Sequence, residues 1–360
     1  MNINHLKNSI NKFPGTDLNL FIGSWNIAGV DFPENFDLIP WLFSSENKII
    51  PDMFILGFQE IINLSANNIL SSNSNVEKIE NLRKILTKNL NIIGKFTIVK
   101  MINLVGIYMI IFVKENLCEY ISKIETCTIK TGLMGTLGNK GYCIIRFNFQ
   151  DVSLAFSCCH LKSGENETNT RILEISEILN KNIKLKDSKE IMIKDHDIYF
   201  IFGDLNFRLD IDIKKCLELI NNRRFKELFN YDQLNKNKNA NRDIKLLNEM
   251  EINFPPTYKF NIESSEYTIR EKHTPSWCDR IIFNKNLKIK GIYYNCIDYY
   301  KESDHKPIFG VYKIKINEYN SNLNPNEDIN NKIGKFIPQN HYVIENNIGN
   351  NTLNLDNFEI

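Results

Sequence analysis

Pro275-Ser276-Trp277-Cys278-Asp279-Arg280 decides how this 360-residue chain is read, because Gly203-Asp204-Leu205-Asn206-Phe207-Arg208 precedes it and Ser303-Asp304-His305 follows. The first two blocks each set an Asp and an Arg beside large side chains, and the third sets an Asp beside a His. Together they supply carboxylates, an amide, guanidiniums and an imidazole, a set suited to metal-assisted attack on a phosphate.

Outward from these blocks, the chain is mostly short apolar runs separated by polar turns. Strands are expected over Leu18–Trp25, Met53–Phe58, Phe96–Met101, Val105–Val113, Ile124–Ile129, Tyr142–Phe147 and Val152–Cys159. Further strands are expected over Ile198–Phe202, Arg280–Phe283, Ile292–Cys296 and Ile308–Ile314. Helical periodicity intervenes near Val76–Leu90, Thr168–Asn180, Ile213–Phe229 and Ile244–Ile252. Many strands with few helices imply an α+β fold of two packed sheets flanked by helices, not a strict βαβ winding. Trp25-Asn26, Gln59-Glu60, Cys159-His160, Gly203-Asp204 and Asp304-His305 each adjoin a strand. If those strand ends share one edge of the sandwich, their polar residues converge on loops held by a rigid scaffold. A single domain is expected to run to residue 316, with 317–360 an Asn-rich tail that is partly ordered at best.

Composition bounds the partners. A formal net charge of +1 gives no whole-protein field for nucleic acid or an anionic membrane, so attraction for a polyanion must be local. The eight Cys contain no Cys-x-x-Cys pair, and several sit in apolar runs, which points to buried thiols in a reducing compartment. The N-terminus lacks the pattern of a signal peptide. The run from Met101 to Val113 is shorter than the ~20 residues that span a bilayer. The expectation is a cytoplasmic protein, a monomer, that touches membranes transiently and peripherally.

The candidate residues each carry a bland alternative. Glu60 is the best carboxylate for a hard cation such as Mg2+, which keeps several waters and needs few protein oxygens, and Asn26 is its amide-oxygen partner. A surface Glu and a turn-capping Asn would read the same way. Asp204 and Asn206, two apart in an extended segment, would point the same way, the carboxylate toward an attacking water and the amide toward a phosphate oxygen. An Asx turn closing the strand is the alternative. His160 and His305 could stabilise the charged oxygens of a transition state, and Asp279 could orient His305.

Both signature blocks, with Ser24-Trp25-Asn26, Gly57-Phe58-Gln59-Glu60, Leu104-Val105-Gly106, Gly138-Asn139-Lys140-Gly141, His160-Leu161 and Ser303-Asp304-His305-Lys306-Pro307, resemble the inositol polyphosphate 5-phosphatases. The resemblance covers about Asn19 to Tyr312, and the stretch from Phe58 to Leu70 is similar to the synaptojanin and plant-type enzymes. It implies the DNase I-like, endonuclease/exonuclease/phosphatase fold, a four-layer α/β/β/α sandwich, and Mg2+-dependent hydrolysis of a phosphoinositide or inositol phosphate by direct water attack. Carried over, Glu60 and Asn26 bind the metal with Asp304 near it, and Asp204 activates water beside Asn206. His160 and His305 meet the scissile phosphate, Asp279 supports His305, and Trp277 and Cys278 pack beneath. Tyr258-Lys259 match the family pair that grips the ring 4-phosphate, with Lys272 beside it and Arg280 as a further, more structural charge. Lys140 would face the 1-phosphate region. The chain departs from the family at Glu271 and His273, where Lys and Arg are usual, and at Arg171-Ile172-Leu173-Glu174. A histidine does not replace the bidentate fork of an arginine on phosphate.

A nuclease of the same fold and a catalytically inactive phosphoinositide-binding module are the competing readings. The near-neutral charge and the Trp-Cys-Asp-Arg block argue against nucleic acid as a partner. Ile61–Leu70 and Leu133-Met134 are the segments whose apolar tips could dip into a bilayer, with core packing as their alternative fate.

Overall fold

In the computed structural model, the described residues are 13–43, 49–62, 72–104, 106–131, 140–269 and 274–317. The strands are β1 (Asp17–Asn26), β2 (Met53–Gln59), β3 (Phe96–Leu104), β4 (Ile107–Lys114), β5 (Ile121–Thr131), β6 (Lys140–Phe149) and β7 (Val152–His160). They continue with β8 (Asn182–Lys184), β9 (Glu190–Met192), β10 (Ile198–Asp204), β11 (Leu247–Glu249), β12 (Asp279–Asn284), β13 (Ile289–Cys296) and β14 (Ile308–Lys315). The helices are α1 (Ile39–Leu42), α2 (Ser72–Ile93), α3 (Thr168–Leu179), α4 (Ile213–Asn221), α5 (Phe225–Leu228), α6 (Gln233–Lys236) and α7 (Arg242–Lys245). Two six-stranded sheets form, ordered β13-β14-β1-β2-β4-β3 and β11-β12-β10-β7-β6-β5, with β8-β9 a separate ribbon.

Strand alternation builds the layers. Along β1, Leu18, Leu20 and Ile22 enter the core between the sheets, while Phe21 and Trp25 face the other way. Along β10, Phe200 and Phe202 join the central core, and Tyr199 and Ile201 face outward. The outer face of the first sheet is covered by Leu82, Ile85, Leu86 and Leu90 of α2, spaced as one helix face. The outer face of the second sheet is covered by Ile172, Ile175, Ile178 and Leu179 of α3. The four-layer α+β sandwich expected from sequence is the fold. The two sheets meet closely at Gly57, where a Cβ would lie 2.5 Å from Cys158 Sγ and from the Phe202 ring.

The expected helix over Ile244–Ile252 is a correction. Only Arg242–Lys245 is helical, and Leu247–Glu249 is an edge strand paired with β12. The apolar spacing misleads there because Leu247 must face the outer core while Glu249 reaches Arg280. The helix expected over Ile213–Phe229 breaks after Asn221, where Arg223 adopts φ +51. Lys272, Glu271, His273, Leu133-Met134, most of the loop after Ile62 and the tail from 318 lie outside the described residues. Ile61 and Ile62 are buried in the core over α2, so these two side chains pack rather than dip into a bilayer.

Candidate active site

Register sets the site. Gly141 pairs with His160, His160 with Asp204, and Asp204 with Asp279, so one row crosses β6, β7, β10 and β12 at a single level. In the other sheet, parallel β1 and β2 bring Asn26 opposite Gln59, with Glu60 immediately after. Gly203 is required before Asp204: its φ is +133, and a Cβ there would stand 2.1 Å from the Cys159 carbonyl oxygen. Glu60 and Asn206 adopt φ +51 and +58, left-handed values that re-aim their side chains, at some cost for a residue other than glycine.

Asp204 is the centre. Its Oδ2 lies 3.2 Å from His160 Nε2, 3.9 Å from His305 Nε2, and 3.0 Å from the Asn26 amide nitrogen that donates to it. Its Oδ1 accepts from the Asn206 backbone N–H at 3.0 Å. Burial alone would raise the Asp204 pKa, but the His160 and His305 charges and the His160 hydrogen bond hold it well below the usual carboxylate range. His305 shows the complement. Burial disfavours its charged form, yet Asp279, whose Oδ2 lies 2.9 Å from His305 Nδ1, lifts its pKa to about 9. Asp279 Oδ2 also accepts from the Thr257 hydroxyl at 2.7 Å, while Asp279 itself is pushed up by burial. The cationic imidazole therefore lies between two buried carboxylates.

His160 is buried, its Nδ1 has no hydrogen-bond partner among the described residues, and its Nε2 meets both Asp204 and the Lys140 ammonium. Burial, the largest influence, lowers the Lys140 pKa against the pull of Asp204 and Glu60. Glu60 Oε1 lies 3.7 Å from His160 Nε2 and accepts from Asn26 Nδ2 at 3.3 Å, and its side chain is 39% exposed. Among the described residues no group of three or more His, Cys, Asp or Glu is placed to hold a metal. One half-exposed carboxylate does not suit a zinc ion, which wants nitrogen or thiolate donors on nearly every side. It does suit a hard cation that keeps most of its waters.

Asn26 differs from its sequence-based role. Its Oδ1 accepts from the Ala28 N–H at 3.1 Å, so its amide hydrogens, not its oxygen, face Glu60 and Asp204. Turning the amide over would place its oxygen against two carboxylates and its hydrogens against an N–H. Arg280 is also corrected: it is fully buried, paired with Asp232 at 2.9 Å and Glu249 at 2.6 Å, and cannot touch a substrate. Trp277 and Cys278 are buried beneath, and the Cys278 carbonyl accepts from Leu205 and Asn206, tying the two signature blocks together. Asp304 pairs with Lys259 at 2.5 Å. Tyr258 packs on His305, with ring centroids 4.4 Å apart.

Three residues have parts in the site that the sequence-based reading did not assign to them. Arg208 donates through Nη2 to Asn206 Oδ1 at 2.6 Å and lies 4.7 Å from the Tyr258 ring. Gln233 accepts from Arg171 Nη2 at 2.6 Å and from the Arg208 N–H at 3.1 Å. Arg171 holds the carbonyls of Lys162 and Gly164, just after His160. The available signal was Tyr231-Asp232-Gln233, where an Asp capping α6 precedes a buried amide.

Residues 23–311 match Endonuclease/Exonuclease/phosphatase family 2. The chain is 30% identical to the type I inositol polyphosphate 5-phosphatase 8 of Arabidopsis thaliana, over 87% of this chain and 74% of that protein. It is 33% identical to the type II inositol 1,4,5-trisphosphate 5-phosphatase of Mus musculus, over 84% of this chain but only 30% of that longer protein. Among solved structures, it matches a synaptojanin inositol polyphosphate 5-phosphatase domain in complex with inositol (1,4)-bisphosphate and calcium. That match has a TM-score of 0.71 and 29% identity, covering 83% of this chain and 85% of that one. A Cimex nitrophorin, at 21% identity and TM-score 0.62 over 84% of this chain and all of that one, shares the fold alone. With its signature blocks joined around a buried Asp204–His305–Asp279 arrangement, the chain belongs to the inositol polyphosphate 5-phosphatases.

Proposed function

We propose that this phosphatase, using Mg2+, removes the 5-phosphate from inositol rings that carry a neighbouring 4-phosphate, in phosphatidylinositol 4,5-bisphosphate and in soluble inositol 1,4,5-trisphosphate. The observation that carries this reading is the Tyr258 ring packed on His305 with Lys259 beside it on Asp304, a pair whose place next to the reacting centre suits a second ring phosphate. Glu60 would hold the cation, which when bound neutralises phosphate-oxygen charge and lowers the pKa of water.

The chain's own groups then have distinct work. Asp204, kept anionic by its imidazole neighbours, accepts a hydrogen bond from the attacking water and takes its proton as the bond to phosphorus forms. The bond from phosphorus to the ring 5-oxygen breaks, and that oxygen leaves as a hydroxyl with a proton from water. A carboxylate with so low a pKa is a weak base, so orienting the water is the larger part of its contribution. Asn26 fixes Asp204 and Glu60 relative to each other. The Asn206 amide nitrogen, one hydrogen on the Leu161 carbonyl at 3.1 Å, offers its second to a phosphate oxygen. Protonated His305 donates Nε2–H to another oxygen, with its charge maintained by Asp279. His160 Nε2 can accept from Lys140 or donate toward an anion, and a bound phosphate that draws Lys140 to itself selects the second. The enzyme is read as a cytoplasmic monomer that meets lipid substrate peripherally and does not act on nucleic acid.

Phosphate release from both substrates with Mg2+, and its fall by roughly a thousandfold in Asp204→Ala, is the expected result. Equal activity in Asp204→Ala, or turnover of DNA above that of either inositol phosphate, would sink the reading.

A further inference from the structure

The pair that grips the neighbouring phosphate is joined to the catalytic groups by direct contact. The Tyr258 ring meets the His305 imidazole at 4.4 Å and the Arg208 guanidinium carbon at 4.7 Å. Arg208 in turn donates to Asn206 twice, from Nη2 to Oδ1 at 2.6 Å and from Nε to the backbone carbonyl at 3.2 Å. Asn206 continues to Asp204 Oδ1. One line of contacts thus runs from the Tyr258–Lys259 pair through Arg208 and Asn206 to Asp204, and another from Tyr258 through His305 to Asp279.

We propose that Arg208 is a positioning residue that carries occupancy of the ring-phosphate grip to Asn206, so that the neighbouring phosphate raises turnover and not only affinity. This rests on the 5-phosphatase reading above. Asn206 sits at φ +58, and its amide is held from two sides, one hydrogen on the Leu161 carbonyl and Oδ1 on Arg208, which together leave its second hydrogen for the reacting phosphate. The guanidinium holds Oδ1 while it also meets Tyr258, with its carbon 4.7 Å from the ring centre and a hydrogen bond between the two side chains, a set of contacts that a lysine ammonium cannot reproduce. A phosphate that steadies Tyr258 therefore steadies Arg208 and the Asn206 amide with it.

The base of Arg208 is held so that only its head can respond. Gln233, buried, accepts the Arg208 N–H at 3.1 Å and returns its own backbone N–H to the Arg208 carbonyl at 3.0 Å. Its remaining capacity is used by Arg171 Nη2 at 2.6 Å, the Glu165 carbonyl at 2.9 Å and Asp210 Oδ1 at 2.7 Å. A buried amide with both donors and both lone pairs engaged admits one arrangement.

The test compares kcat and KM of the full chain, with Mg2+, on water-soluble short-chain phosphatidylinositol 4,5-bisphosphate and phosphatidylinositol 5-phosphate. Wild type is expected to show the higher kcat on the bisphosphate. Arg208→Lys and Arg208→Gln are expected to lower that kcat by roughly tenfold to a hundredfold, with KM little changed, and to bring the two substrates' kcat values together. A raised KM with kcat intact would make Arg208 a plain phosphate ligand and overturn the proposal, as would a kcat ratio that survives either substitution. Recovery of the wild-type ratio by Arg208→Lys would also overturn it, since charge alone would then suffice. Arg208→Lys keeps size and charge, so its kinetics decide between these outcomes if Arg208→Gln fails to fold. Equal kcat on the two substrates in wild type overturns the coupling outright, whereas no turnover of either by wild type fails the functional reading instead.

Discussion

At the scale of the residue, the site depends on charges kept where burial would remove them. His305 stays protonated to about pH 9 because Asp279 Oδ2 faces its Nδ1. If that proton is needed on the phosphate-facing nitrogen, kcat falls as pH rises through about 9. Asp279→Asn removes the charge but leaves an acceptor, so the alkaline limb should move at least one unit toward the ordinary imidazole value. A pH profile of kcat that keeps its alkaline limb in Asp279→Asn would show that another group sets it. Much of this was legible in the sequence, since Asp204, Asn206, Asp279, His160 and His305 lie in blocks whose chemistry is self-announcing. The supporting polar residues were not. Arg208 lies within a signature block that does not reveal its partners, and Gln233 is one amide among many in a chain rich in Asn and Lys. Hydrogen-bond partners 25 and 62 residues away leave no local pattern. The orientation of the Asn26 amide was equally hidden, because it is decided by the Ala28 N–H and not by the side chain's identity.

At the scale of the element, strands were legible and short connecting pieces were not. Alternating apolar runs identified the strands of both six-stranded sheets except β11, whose three residues carry too little periodicity to be told from a helix end. Its reason for existing lies in tertiary structure. Glu249 on β11 and Asp232, the cap of α6, both bond the buried Arg280 of β12, so one guanidinium fastens three elements beneath the signature block. Arg280→Met should therefore destabilise by about 3–5 kcal/mol, because two carboxylates lose their partner in the interior. Urea unfolding gives the measurement, and an unchanged midpoint would contradict the role given to this network. Activity is expected to fall only as far as folded protein falls.

At the scale of the whole molecule, two histidines place opposite slopes on stability. His196, buried beside Arg146, has its pKa lowered to about 4, chiefly by burial, so its contribution is complete above the unfolded value of 6.5 and is lost as pH falls toward 4. His305 has its pKa raised, so its contribution is complete below 6.5 and is lost as pH rises through about 9. Thermal melts from pH 4 to 9 should peak just on the acid side of neutrality, with each flank worth on the order of 3 kcal/mol. His196→Gln should flatten the acid flank alone, and a flank that persists in that variant would refute the assignment. The row that crosses β6, β7, β10 and β12 has one more implication, for quality control of the folded protein. Each of its residues belongs to a different strand, and slipping β7, β10 or β12 by one position turns His160, Asp204 or Asp279 to the opposite face. A chain that collapses with one strand out of step would keep its secondary structure and most of its burial yet assemble no reaction centre. Turnover per mole of soluble protein therefore counts correctly threaded molecules, a quantity that far-ultraviolet dichroism and gel filtration do not see.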